Sequence, residues 1–76
     1  MKLSISTLTG KTLVIDAEPS DSPLNIKEKI QDLEGIPPDL QVLVYAGRQL
    51  SNDFALADYG IYAEASLSLI INLRGC

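Results

Sequence analysis

The sequence predicts an α+β domain: one amphipathic helix lying across one face of a mixed, five-stranded sheet. Three observations carry this. Apolar and polar residues alternate near both ends of the chain, at Met1, Leu3 and Ile5 and again at Leu67 and Leu69, which is the period of a half-buried strand. Between them a single segment has helical spacing, with Ile26 and Ile30 on one face, a Ser-Pro start and a Gly stop. Seventy-six residues leave room for one domain and no second.

Each element follows from local chemistry. Met1 to Ser6 is a strand with Met1, Leu3 and Ile5 inward. Thr7 to Gly10 is a short turn in which Gly10 supplies the permissive backbone position. Lys11 to Ala17 returns as a second strand with Leu13, Ile15 and Ala17 inward, and so short a connection makes an antiparallel hairpin. Glu18-Pro19-Ser20-Asp21 ends it. Ser22 is suited to N-cap and Pro23 to the first helical position, where no N–H is needed. The helix covers 23–34, with Lys27 and Lys29 flanking the Ile26/Ile30 stripe and Gly35 placed to stop it. Pro37-Pro38 prevents any continuation. Leu40 to Tyr45 is the third strand, Ala46-Gly47-Arg48 a turn and Gln49-Leu50 a very short fourth strand. Residues 51–64 are polar and irregular, anchored by Leu56, Tyr59 and Ile61; Ser66 to Asn72 is the last strand. Both the first and last strands have strong core patterns, which places both centrally in the sheet. The domain is thus expected over 1–72 and a flexible tail over 73–76. No repeat, linker or low-complexity segment interrupts it.

Composition excludes several function classes. Six Lys and Arg face ten Asp and Glu, a formal charge of −4 with no histidine, so no cationic cluster is available for nucleic acid. Cys76, the only cysteine, has no disulfide partner, and one Cys without His makes no thiolate or imidazole metal site. No cofactor or metal is expected. No apolar run reaches the roughly 18 residues of a membrane span, and the opening MKLSIS has no signal-peptide core. A monomer in the cytoplasm or nucleus is the expectation. With no general base in the sequence, Cys76 is not expected to act as a catalytic thiol, and the chain is not expected to be an enzyme.

Particular segments then become recognisable: Thr7-Leu8-Thr9-Gly10-Lys11-Thr12, Glu18-Pro19-Ser20-Asp21, Lys29-Ile30-Gln31-Asp32, Glu34-Gly35-Ile36-Pro37-Pro38-Asp39, Ala46-Gly47, Gln49-Leu50, Asp58-Tyr59 and Leu73-Arg74-Gly75. In order and spacing they resemble the ubiquitin family along the whole chain, without gaps. The resemblance implies a β-grasp fold and three working parts: an apolar docking patch, acceptor lysines and a tail carboxylate. The patch it implies is Leu8, Val44 and Ile70, with Gly47 beside it and Val42 where the family has arginine, which widens the apolar area. Of the basic rim expected at 6, 42, 48, 68 and 72, this chain has Ser6, Val42, Arg48, Ser68 and Asn72, so Arg48 alone is cationic. Its implied partners are ubiquitin-binding domains and conjugating or deconjugating enzymes. Rim charges govern on-rate and selectivity more than affinity, so slower binding with altered partner choice is expected.

Lys11, Lys27 and Lys29 remain from the family's acceptor set, whereas Ser6, Leu33, Arg48 and Ala63 replace the others. A guanidinium is no amine nucleophile at neutral pH, so linkages through 48 and 63 are closed. The family pairs the lysine at 27 with an aspartate at 52; here Asn52 stands there, and Asp53 is a substitute partner.

In the tail, Leu73 and Arg74 keep the family pattern, while Asn72 replaces the arginine that meets the activating enzyme. The chain ends Gly75-Cys76 in place of two glycines. Three readings of Cys76 stand. It marks a processing junction, resembling those of polyubiquitin-like precursors fused to a Hint or intein-like domain, where the thiol attacks the preceding carbonyl. It is an engineered labelling handle. Or it is native to an interaction domain. The leading functional reading is a protein modifier conjugated to amines through the Gly75 carboxyl; the rival is a non-covalent docking module using the Leu8/Val44/Ile70 face.

Overall fold

The computed structural model describes residues 1–72, and the expected tail at 73–76 lies outside the described residues. Five strands and one helix run in the order β1 (Lys2–Ser6), β2 (Thr12–Asp16), α1 (Pro23–Glu34), β3 (Gln41–Tyr45), β4 (Arg48–Gln49) and β5 (Ser66–Ile71). The sheet order is β2-β1-β5-β3-β4. Strands β1 and β5 pair in parallel at its centre, Ser4 beside Ser66 and Ser6 beside Ser68, and the other neighbours are antiparallel. A parallel pair needs a long crossover, and everything from β2 to β4 supplies it. This is the ubiquitin-like β-grasp that the resemblance implies.

The helix is held at both ends by its sequence. The Ser22 hydroxyl accepts the Asn25 N–H at 3.4 Å, and Pro23 occupies the first turn. Gly35 turns left-handed, with φ 73°, so that its N–H reaches the Gln31 carbonyl at 2.7 Å; a side chain there would be strained. Ile26 and Ile30 are fully buried against Leu3, Ile5, Leu43, Leu67 and Leu69 of the sheet. At roughly 1.5–3 kcal/mol per buried side chain of this size, this single layer of Leu and Ile supplies most of the driving force.

Several details differ from expectation. β1 begins at Lys2, β2 covers only Thr12–Asp16, and β5 ends at Ile71, each strand shorter than expected by one or two end residues. Leu40 belongs to a 3-10 turn over Pro38–Leu40, its N–H donating to the Pro37 carbonyl, so β3 begins at Gln41. The fourth strand is Arg48–Gln49, one residue earlier than expected. Ala46 (φ 53°) and Gly47 (φ 77°) form a two-residue hairpin loop with both φ positive, the twist that strand pairs favour. That loop fixes Tyr45 opposite Arg48 and releases Leu50 into the core. The segment 51–64, expected to be irregular, contains a 3-10 turn over Leu56–Tyr59, with Leu56 and Ile61 buried and Tyr59 half-buried.

Candidate functional site

Strand parity builds the outer face of the sheet. Leu43 and Leu69 point into the core, so Val42, Val44 and Ile70 point out. Val42 sits directly opposite Ile70, and Val44 opposite Ser68. Val42 is therefore an immediate cross-strand neighbour of Ile70, close enough for their side chains to pack. Ile70 is 42% exposed and Leu8, in the β1–β2 turn, 76%. That turn is ordered by its own bonds: the Thr7 N–H reaches the Lys11 carbonyl at 2.9 Å, and the Gly10 N–H reaches the Thr7 carbonyl at 3.1 Å. Between the turn and Ile70, Ser6 and Ser68 are register partners, so hydroxyls rather than ammonium groups border the apolar residues. Gly47 lies in the β3–β4 loop. Arg48 follows it, exposed, its guanidinium making no hydrogen bond or ion pair among the described residues.

The lysines differ sharply in environment. Lys11 Nζ pairs with Glu34 Oε2 at 2.9 Å, tying the hairpin to the end of α1. Lys29 Nζ donates to the Asp16 carbonyl and stands 3.7 Å from the Asp21 carboxylate. Lys27 is only 7% exposed, and its Nζ donates to Asn52 Oδ1 at 3.0 Å. Asn52 itself takes the partner role, whereas Asp53 bonds with Ser51. Burial pushes the Lys27 ammonium below its ordinary value, and the Asp39 carboxylate partly opposes this.

Asn72 is half-buried, its N–H donating to the Leu40 carbonyl at 2.7 Å, which prolongs the β3–β5 pairing. Leu73, Arg74, Gly75 and Cys76 fall outside the described residues.

A second surface was not singled out from sequence. Phe54, 53% exposed, meets Tyr59 edge-to-face with ring centroids 6.1 Å apart. With Arg48 and Asp58 these rings line a shallow depression of about 530 Å³, and Tyr45, Ala46, Arg48 and Tyr59 line a smaller one of about 140 Å³. The Tyr59 hydroxyl is held by the Ser51 N–H at 2.7 Å. The available signal was Phe54 itself, the chain's one phenylalanine, set in a polar stretch. Among the described residues no cluster of His, Cys, Asp and Glu could hold a metal ion, and no helix is long and apolar enough to cross a membrane.

Residues 3–74 match the model of the ubiquitin family. The chain belongs to the ubiquitin family. Its ubiquitin-like relatives include "Ubiquitin-like protein NEDD8" of Dictyostelium discoideum, 40% identical over 75 residues that cover 99% of this chain and 97% of that protein. "Ubiquitin-like protein 1" of Schizosaccharomyces pombe is also 40% identical, covering 99% and 96%. A stretch of a longer chain is also similar: "AN1-type zinc finger protein 4" of Mus musculus is 39% identical over 99% of this chain but 10% of that protein.

Proposed function

We propose that this chain is a ubiquitin-like protein modifier, a tag rather than a catalyst, joined to target amines through the carboxyl of Gly75. The observation that supports this best is the near full-length match to ubiquitin-like proteins of the same size. The outer face adds a reading surface: Leu8, Val42, Val44 and Ile70, with Gly47 and Arg48 at its edge, present an apolar area to ubiquitin-binding domains. Leu73, Arg74 and Asn72 are the residues that conjugating and deconjugating enzymes would grip. In this reading the protein works in the cytoplasm and nucleus as a monomer.

Cys76 is read as a processing junction. Its thiol adds to the Gly75 carbonyl and the C–N bond breaks, leaving a Gly75 thioester and a free Cys76 amine; an incoming amine then displaces the thiol and forms the amide. A Hint-like domain following Cys76 in the precursor would drive this step and spare Asn72 a meeting with an activating enzyme.

The second reading, a non-conjugated docking module, is favoured by the longer zinc-finger relative, in which the domain is one part of a larger chain. Intact-mass analysis separates the two. Chains ending at Gly75 and at Cys76 are incubated with an ATP-driven conjugation extract. Covalent adducts of the Gly75-ended chain support an enzyme-activated modifier; no adduct from either, and no transfer of Gly75 to an added amine from a fusion to a Hint domain, with binding to a helical ubiquitin-binding motif intact, favours the docking module.

A further inference from the structure

We propose that Lys2 is the acceptor lysine of this domain, the site at which a thioester-activated carboxyl is captured to build conjugates on it. For its acyl donor the proposal rests on the modifier reading above; the choice of amine rests on geometry alone.

The chain has four lysines, and the fold leaves one of them unengaged among the described residues. Lys27 is buried and donates to Asn52. Lys29 is pinned to the Asp16 carbonyl beside Asp21. Lys11 is exposed but ion-paired with Glu34. Each must break a bond, and Lys27 must also unpack, before its nitrogen lone pair is free to attack. The N-terminal amine is tied as well: it donates to the Ala17 carbonyl at 2.8 Å and to Asp16 Oδ1 at 3.5 Å.

Lys2 is exposed, and its side chain makes no hydrogen bond or ion pair among the described residues. Asp16, its cross-strand partner, is engaged by the N-terminal ammonium instead. The Lys2 main chain is firmly held, paired with β2 on one side and accepting the Glu64 N–H at 2.9 Å on the other. A fixed base with a free amine is what acyl capture requires.

The step balances. The neutral Lys2 amine adds to the thioester carbonyl, the C–S bond breaks, the thiol leaves and one proton passes to solvent, so an isopeptide bond replaces the thioester. Position also suits the role. Lys2 precedes the Ser4–Ser66 pair by two residues on β1, whereas Ile70 follows it by four on the parallel β5, about 20 Å apart along the strands. A conjugate on Lys2 is attached at the opposite end of the outer face from Ile70.

The test has two arms. In the first, the folded chain is acetylated substoichiometrically with a small acetyl thioester and mapped by peptide mass, each lysine normalised to its rate in the denatured chain. Lys2 is expected to exceed Lys11 and Lys29 by roughly threefold, the scale of a surface ion pair, and Lys27, whose nitrogen is enclosed and reached only by local opening, by more than about tenfold. Lys11 or Lys29 matching Lys2 overturns the proposal. In the second, Lys2→Arg, Lys11→Arg and Lys29→Arg variants enter the conjugation extract. Loss of self-linked products with Lys2→Arg alone supports it; products undiminished by Lys2→Arg overturn it while leaving the modifier reading standing. If no variant and no wild-type chain is conjugated, the enzyme-activated form of the modifier reading fails, and the first arm alone decides the amine.

Discussion

The Lys27 ammonium, almost fully buried, donates to the neutral side-chain oxygen of Asn52 at 3.0 Å and forms no ion pair among the described residues. A buried charge held by an amide keeps most of its desolvation cost. The resemblance to the ubiquitin family places a carboxylate at 52, so Asn52→Asp is expected to raise stability by about 1–2 kcal/mol, the scale of a hydrogen bond whose acceptor becomes charged as well as its donor. Urea unfolding at neutral pH measures it; an unchanged or lowered midpoint would overturn the assignment.

The same lysine sets a pH dependence. Its folded pKa lies below the ordinary 10.5, so between those two values the unfolded chain binds more protons than the folded one. Stability contributed by Lys27 therefore rises with pH through that window and carries its full cost below it. Unfolding midpoints from pH 8 upward, measured as the difference between wild type and Lys27→Met, are expected to show this rise. A difference that is flat or falls with pH would contradict it.

The outer face makes a separable prediction. Ile70 is half exposed, so Ile70→Ala is expected to change stability by less than about 1 kcal/mol yet weaken a helical ubiquitin-binding motif by roughly tenfold or more, as for a central anchor. Val42→Arg is expected to raise the association rate for an acidic partner in low salt, with little effect on dissociation. Stopped-flow kinetics read both. Binding insensitive to Ile70→Ala would move the docking surface elsewhere, with the Phe54/Tyr59 ledge the next place to look.

Tyr59 anchors the long connection through one bond from the Ser51 N–H. Tyr59→Phe keeps the ring contact with Phe54 but orphans that donor, and is expected to cost about 1–3 kcal/mol. Thermal unfolding checks it, and hydrogen exchange at Ser51 should accelerate with it.

Ala46 holds a left-handed φ of 53°. Ala46→Gly is expected to stabilise by up to about 1 kcal/mol, since the relief of Cβ strain exceeds the entropy a glycine adds to the unfolded chain. A lower denaturation midpoint would show that the loop is not strained.

Period-two and helical patterns made β1, β2, α1 and β5 legible because burial itself wrote them: Leu3, Ile5, Ile26, Ile30, Leu67 and Leu69 are all inward. The short β4 was misplaced by one residue because its register depends on Ala46 at positive φ, and alanine carries no sign of that backbone state. Lys27 was read as a flanking cation because polarity patterns mark charged residues as solvated, and only packing shows the ammonium enclosed. The Phe54–Tyr59 pair was missed because its partners come from a segment without periodicity. The apolar outer face could be sketched from strand parity, but the direct pairing of Val42 with Ile70 required the β3–β5 register.

The central pairing of β1 with β5 also has a consequence on the ribosome. The first strand to emerge waits for the last, because its inner neighbour begins only at Ser66. Until then β1 and β3 have no strand in common, and the nascent chain holds little more than two separate hairpins and a helix. Such late, non-local closure makes folding slow relative to local pairing.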